Sequence, residues 1–143
     1  MSRTAIVVDK VLPFTAEKIW RALTNSDQIA KWLMPNDFVP QVGQRFNFRT
    51  RPMGDWDGVV HCEALDCEPP RLLRYSWVGG SDSNPAYGAR LDSTVTWTLA
   101  PVEGGTRLRM DGFVFPGNRF AHDAMGPGWG RIMDAIARVM AES

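Results

Sequence analysis

The residues best suited to acid–base chemistry are the adjacent pair His122 and Asp123. A histidine beside a carboxylate could act as a general base. Neighbours in sequence rarely orient one another, however, and no serine or cysteine nucleophile lies next to this pair. The other histidine, His61, falls on a predicted strand and is expected to be structural or exposed. We therefore assign no catalytic residue.

The two cysteines, Cys62 and Cys67, lie on one predicted extended segment. Side chains an odd number of positions apart on a strand point to opposite faces, so these thiols are predicted to be reduced and too far apart for a disulfide. A metal site would need more ligands than His61 adds, and no C-x-x-C motif is present. The sequence thus predicts neither a metal site nor a cofactor.

Binding is better supported than catalysis, because six tryptophans occur among 143 residues. Enclosed pockets for apolar ligands are lined mostly by aromatic and apolar side chains, and methionines suit an adaptable pocket. For each residue taken singly, ordinary core packing is the alternative. The candidate ligand-binding residues are Trp32, Phe46, Phe48, Trp56, Tyr75, Trp77, Trp97, Met110, Trp129 and Met133.

Trp56 differs from the other candidates because it lies among Gly54, Asp55, Asp57 and Gly58. Such residues favour turns and tolerate unusual backbone angles, which predicts a hairpin tip. A large apolar side chain there either packs back over the pocket as a lid, contacts a second chain or is exposed. We favour the lid.

Length and charge restrict the remaining possibilities. The chain is predicted to form a single domain over 1–143, with 16 basic and 16 acidic residues. Nucleic-acid binders usually carry a basic surplus, so nucleic acid is not an expected partner. Neither a membrane helix nor a signal-peptide core is evident, which predicts a cytoplasmic protein. Arg45, Arg49, Arg107 and Arg109 could form a basic stripe on the outer sheet face, yet the balanced charge argues against a specific anionic partner.

The hydrophobic pattern predicts the elements that position these residues. A strand over 5–12 is followed by a helix starting at Thr15 and a second helix over 28–33, capped by Asn25, Ser26 or Asp27. Alternating apolar and polar residues then predict an antiparallel sheet that is wet on one side. Its segments are 44–49, 58–66, 73–77, 89–99 and 107–111. An apolar stripe predicts a C-terminal helix over 127–142.

This order of elements resembles the START-like (SRPBCC) helix-grip superfamily. Within this superfamily, several short motifs together resemble the family of activator of heat-shock protein 90 ATPase homologues. That family is named after the C-terminal domain of the activator. The resemblance implies an α+β helix-grip fold, in which a curved antiparallel sheet of about six strands wraps a long C-terminal helix, with two short helices after the first strand. Many members carry a histidine late in the last strand, which 110–113 lacks. The motifs are Ile19-Trp20-Arg21-Ala22-Leu23-Thr24, Lys31-Trp32, Gly43-Gln44-Arg45-Phe46, Pro69-Pro70-Arg71-Leu72-Leu73, Gly104-Gly105-Thr106-Arg107-Leu108 and Gly128-Trp129.

Three functions are compatible with this fold. The leading hypothesis is non-enzymatic binding of a small hydrophobic or aromatic molecule in an internal cavity. The first alternative is an enzyme acting on a bound apolar substrate, cyclase- or hydrolase-like, that uses His122, Asp123 or Tyr75. The second is a co-chaperone-type domain that stimulates a chaperone ATPase, with Trp56 as its contact. An exposed strand edge could also support a homodimer.

Overall fold

A computed structural model of the protein describes residues 6–50, 52, 56–79, 91–112 and 131–141. The strands, numbered β1 to β6 along the chain, are Ile6–Leu12, Arg45–Arg49, Val59–Glu68, Leu72–Gly79, Leu91–Val102 and Gly105–Gly112. They form one antiparallel sheet in the order β1-β6-β5-β4-β3-β2. The helices are α1 over Ala16–Thr24, α2 over Ser26–Trp32, and α3, described over 131–141. The predicted α+β helix-grip fold is confirmed.

The first two helices begin where polar side chains cap them. The Thr15 hydroxyl accepts a hydrogen bond from the Lys18 backbone N–H at 3.2 Å, as predicted. Asn25 ends α1 and also caps α2, since its side-chain oxygen accepts from the Gln28 N–H at 3.1 Å. Because Asn25 caps α2, the helix starts at Ser26 and not at the predicted residue 28. It ends at Trp32, one residue before the predicted 33.

The predicted orientation of the two cysteines is wrong, because β3 contains a register shift just after Ala64. One extra residue in a strand reverses the face of every residue beyond it. Ala64 lies opposite Tyr75 and Cys67 lies opposite Leu73, so all of them share the core face. Cys62 and Cys67 therefore lie on one face of the sheet, the first buried and the second half-buried, and both are free thiols.

The outer edge of β2 is covered by the chain that follows α2. Asn36 forms a bridge with Phe48, and the Arg49 N–H donates to the Pro35 carbonyl oxygen at 2.9 Å. At the other edge of the sheet, β1 pairs only with β6 among the described residues. Among the described residues, the β2 edge of the sheet is thus covered by backbone contacts, whereas the β1 edge is not.

The core lies between the helices and one face of the sheet, called here the inner face. Helix α3 contributes Met133, Ile136, Val139 and Met140 to the same core cluster as the inner-face residues, as the stripe over 127–142 predicts for its described part. An ion pair between Lys10 of β1 and Asp134 of α3 ties the helix to the edge strand.

The outer face carries pairs of opposite charges instead of a free basic stripe. Three of the four arginines predicted for that stripe lie near carboxylates, two of them on neighbouring strands. Exposed pairs of this kind contribute little to stability, and they leave less positive charge for an anionic partner. The pairs are Arg107 with Asp9, Arg109 with Asp111 at 3.7 Å, and Arg45 with Glu63 at 3.8 Å.

Candidate functional site

Aromatic rings form a continuous cluster on the inner face. Phe46 and Phe48 of β2 lie 5.5 Å apart, and Phe46 is 5.4 Å from Tyr75 of β4, each pair nearly perpendicular. Phe48 also contacts Trp77, with ring centroids 5.1 Å apart. The first two contacts are edge-to-face and the third is tilted at 31°, and contacts at these distances help to orient the rings.

A buried hydrogen bond joins Tyr75 of β4 to the ring of Trp97 on the neighbouring strand β5. The Trp97 indole N–H donates to the Tyr75 hydroxyl oxygen at 2.9 Å. Trp97 is 1% exposed and Tyr75 is 2% exposed. Burial raises the pKa of the Tyr75 phenol, and the bond from Trp97 only partly opposes that rise. Tyr75 is therefore a neutral phenol at physiological pH.

Helix α2 completes one side of the cluster. The Trp32 ring lies 5.7 Å from the Trp97 ring at 78°. Its indole N–H donates to the Ala22 carbonyl oxygen of α1 at 2.8 Å, which fixes the ring between the two helices and the sheet. Two indole N–H groups of this cluster are thus satisfied by the protein itself.

The inner face differs in depth from one cross-strand row to the next. Trp97 lies in a row with Leu73 and Met110, which are large. Tyr75 lies in a row with small residues, opposite Ala64 on one side and Val95 on the other. Rows of larger and smaller side chains thus lie next to each other on the inner face, and the positions of Ala64 and Val95 are called here the shallow zone.

The next residue of the small row, Gly112, must be glycine for a steric reason. It pairs with Val95, and its φ is +154°. A Cβ atom there would lie 2.4 Å from the Thr94 carbonyl oxygen, well inside van der Waals contact. The glycine therefore extends the shallow zone across β6.

Phe38 belongs to the cluster but was not predicted. Its ring is 4.8 Å from Phe46 and 6.3 Å from Tyr75. Asn36 places it: the Asn36 amide donates to the carbonyl oxygens of Ser26 and Met34, and its side-chain oxygen accepts from the Phe38 N–H. An asparagine two residues before an aromatic residue, in a Pro-containing loop, is the only signal of this position in the sequence.

Trp56 is half-buried and packs against the core. Its indole N–H donates to the Val59 carbonyl oxygen at 3.0 Å, and the Asp57 carboxylate accepts from the Val59 N–H at 3.0 Å. These bonds hold the ring back towards the sheet, as a lid requires and as a fully exposed tip would not. The lid itself stays a prediction.

Eight of the ten predicted site residues are buried together in one cluster. This joint burial is what a pocket wall and a packed core both require, so it locates the residues without assigning a ligand. Trp56 lies at the margin of the cluster, and Trp129 lies outside the described residues. The eight are Trp32, Phe46, Phe48, Tyr75, Trp77, Trp97, Met110 and Met133.

Little in the described part of the chain points to catalysis. His61 is exposed on β3, as predicted, while His122 and Asp123 lie outside the described residues. Over the described ranges, no group of three or more His, Cys, Asp or Glu side chains could hold a metal ion. Nor is any helix there long and apolar enough to cross a membrane.

Comparisons with known proteins agree with this architecture. Protein MLL2253 from Mesorhizobium loti has a similar structure with a TM-score of 0.82 and 38% identity, and the match covers 98% of each chain. Protein BH1534 from Bacillus halodurans gives 0.75 and 22%, covering 98% of this chain and 99% of that one. DynU16, a protein in the dynemicin biosynthetic locus, gives 0.74 and 22%, covering 96% of this chain and 47% of that one.

Sequence comparison gives the family. A search of curated proteins found no match. The family described as "Activator of Hsp90 ATPase homolog 1-like protein" matches residues 13–141. The resemblance seen in the motifs is therefore confirmed, and the chain belongs to this family of the START-like (SRPBCC) superfamily.

Proposed function

We propose that the protein binds a small hydrophobic or aromatic molecule on the inner face of the sheet, beneath α3. The observation that carries the proposal is the aromatic cluster beside the shallow zone of Ala64, Val95 and Gly112. Flat rings at fixed angles next to small side chains offer a complementary surface to a flat apolar ligand.

Two methionines would let the site adapt to its ligand. Met110 lies opposite Trp97 on β6, and Met133 lies on α3, and both are buried. Methionine side chains have several rotatable bonds and a polarisable sulfur, so they can repack around ligands of different shape. We therefore propose that the site accepts a range of related apolar molecules and not a single one.

Access to the site would be controlled by the loop that carries Trp56. If the ring is a lid, amide hydrogen exchange of the loop over 51–57 slows when a ligand binds. The same exchange rate with and without ligand would remove the lid from the proposal.

A filling substitution tests the proposal most directly. Ala64 is buried and opposite Tyr75, so Ala64→Leu places three more carbon atoms in the shallow zone. If that zone receives a ligand, the variant keeps its free energy of unfolding within about 1 kcal/mol and loses binding of fluorene, measured by tryptophan fluorescence. Val11→Leu on the exposed outer side of β1 is the matched control and keeps fluorene binding.

The opposite result is equally clear. A packed core would lose about 1–3 kcal/mol of unfolding free energy on Ala64→Leu, because overpacking forces strained side chains. That loss, together with wild-type protein that binds neither fluorene nor decanoic acid, would contradict the proposal. Native mass spectrometry of freshly purified protein adds the mass of any co-purified ligand.

The two alternatives receive no specific support from the described residues. A chaperone-ATPase function rests on the family description alone, and Trp56, its expected contact, is half-buried with its N–H bonded. A reaction would use His122, Asp123 or Tyr75; the first two lie outside the described residues, and Tyr75 is a buried neutral phenol. We therefore propose binding alone.

A further inference from the structure

The Tyr75 hydroxyl has a hydrogen-bonding capacity that the described protein does not use. A phenol both accepts and donates hydrogen bonds. Its oxygen accepts from the Trp97 indole N–H, and this is the hydrogen bond that the described residues give the hydroxyl. The hydrogen therefore remains available in this part of the molecule.

The side chains around the hydroxyl offer its hydrogen few acceptors. Tyr75 is buried, and its ring neighbours are Phe38, Phe46 and Phe48, which carry no oxygen or nitrogen acceptor in their side chains. The Cys62 thiol influences the same phenol electrostatically, but sulfur is a weak acceptor. The bond from Trp97 pairs the hydroxyl oxygen, and the phenol hydrogen keeps the capacity to form a second bond to an oxygen acceptor.

The position of the hydroxyl also fixes its direction. Trp97 donates to one side of the oxygen, so the hydrogen must point away from that indole. The small residues Ala64 and Val95 flank Tyr75 on the neighbouring strands. Burial keeps the pKa of the phenol high, so the hydrogen is present at every physiological pH.

We infer that Tyr75 donates a hydrogen bond to an oxygen atom of the ligand, so that the site selects aromatic molecules bearing a carbonyl group over hydrocarbons of the same shape. This inference rests on the proposed function and makes it more specific. Trp97 is then a positioning residue, because it orients the hydroxyl without contacting the ligand oxygen itself.

A matched pair of probes tests the selection. Fluorene and 9-fluorenone share one tricyclic shape and differ by a CH₂ group and a carbonyl group at one position. Dissociation constants for both are measured by tryptophan quenching in the wild type and in Tyr75→Phe. We expect Tyr75→Phe to lower the ratio of 9-fluorenone affinity to fluorene affinity about tenfold.

The ratio separates a hydrogen bond from a structural effect, since a general disturbance of the site weakens both probes alike. The infrared carbonyl stretch of 9-fluorenone bound to the wild type gives a second readout that needs no variant. A hydrogen bond shifts that stretch to lower frequency than in cyclohexane.

The outcomes divide the two proposals. An equal ratio in both proteins, or a carbonyl stretch unshifted from cyclohexane, overturns the inference while fluorene binding leaves the proposed function standing. Failure of the wild type to bind fluorene, 9-fluorenone and decanoic acid overturns the inference and the proposed function together.

Discussion

Replacing Trp97 with alanine removes the most enclosed ring of the cluster, and its cost can be worked from the structure. The side chain is 1% exposed. A tryptophan of this kind buries about 200 Å², which at about 25 cal/mol per Å² is roughly 5 kcal/mol. Alanine keeps one buried carbon and the unfolded chain hides some of the area, so we expect a loss of about 3–5 kcal/mol.

Urea unfolding followed by circular dichroism measures this loss. For a chain of this size, the same loss lowers the midpoint of thermal unfolding by on the order of 6–20 °C. Trp97→Phe is the matched control: it keeps a ring but removes the N–H donated to Tyr75, which we expect to cost about 1–2 kcal/mol. A loss below about 1 kcal/mol for Trp97→Ala would refute the reasoning from burial. If fluorene binding disappeared as well, the ring would line open space instead of packed core.

Three further predictions follow from single contacts. Gly112→Ala should lower the free energy of unfolding by about 2 kcal/mol or more, because its Cβ would collide with the Thr94 carbonyl oxygen. The hydrogen bond from Arg107 lowers the pKa of Asp9 below its ordinary 3.8. The stabilisation from Asp9 is therefore present above pH 3.8 and lost as the pH falls through the lowered value, so the stability difference between wild type and Asp9→Asn should shrink below pH 3.8. Burial raises the pKa of the Cys62 thiol, which should react with a thiol reagent far more slowly in folded than in urea-unfolded protein.

Each of these has its own control. Gly43 also has a positive φ but no atom near the position of a Cβ, so Gly43→Ala should cost only about 1 kcal/mol. Equal costs at the two glycines would contradict the steric argument. For Asp9, a difference that does not change between pH 6 and pH 2.5 would show that its carboxylate is not stabilised by folding. Cys67 is half-buried and should react faster than Cys62 in the folded protein, and the reverse order would contradict the orientation of β3.

The strands could be predicted from the sequence because each has one buried face. In β2, Phe46 and Phe48 are buried while Arg45 and Arg49 are exposed. This alternation in burial matches the alternation of apolar and polar residues in the sequence. The caps at Thr15 were equally visible, since a hydroxyl at that place has one obvious role. Such features depend only on near neighbours in the chain.

The bulge and Phe38 could not be predicted because they depend on contacts distant in sequence. Nothing in the residue types around Ala64 marks an extra residue, so the faces of Cys62 and Cys67 were assigned by simple parity. Phe38 sits outside any periodic segment and reaches the cluster through the side-chain hydrogen bonds of Asn36. The hydrogen bond between the Trp97 and Tyr75 side chains likewise depends on the register of β4 against β5. A pattern of alternation does not determine that register.

The covered edge of β2 limits how large an assembly of this protein can grow by strand pairing. A sheet with two open edges can add a further copy at each end and polymerise without limit. Asn36 and Pro35 already occupy the β2 edge, so only β1 among the described strands could pair with another copy. Two β1 edges that meet satisfy each other around a two-fold axis, and the growth stops at a pair. The short segment after α2 thus blocks the addition of further strands at the β2 edge. We therefore expect the protein to resist fibril formation even at high concentration.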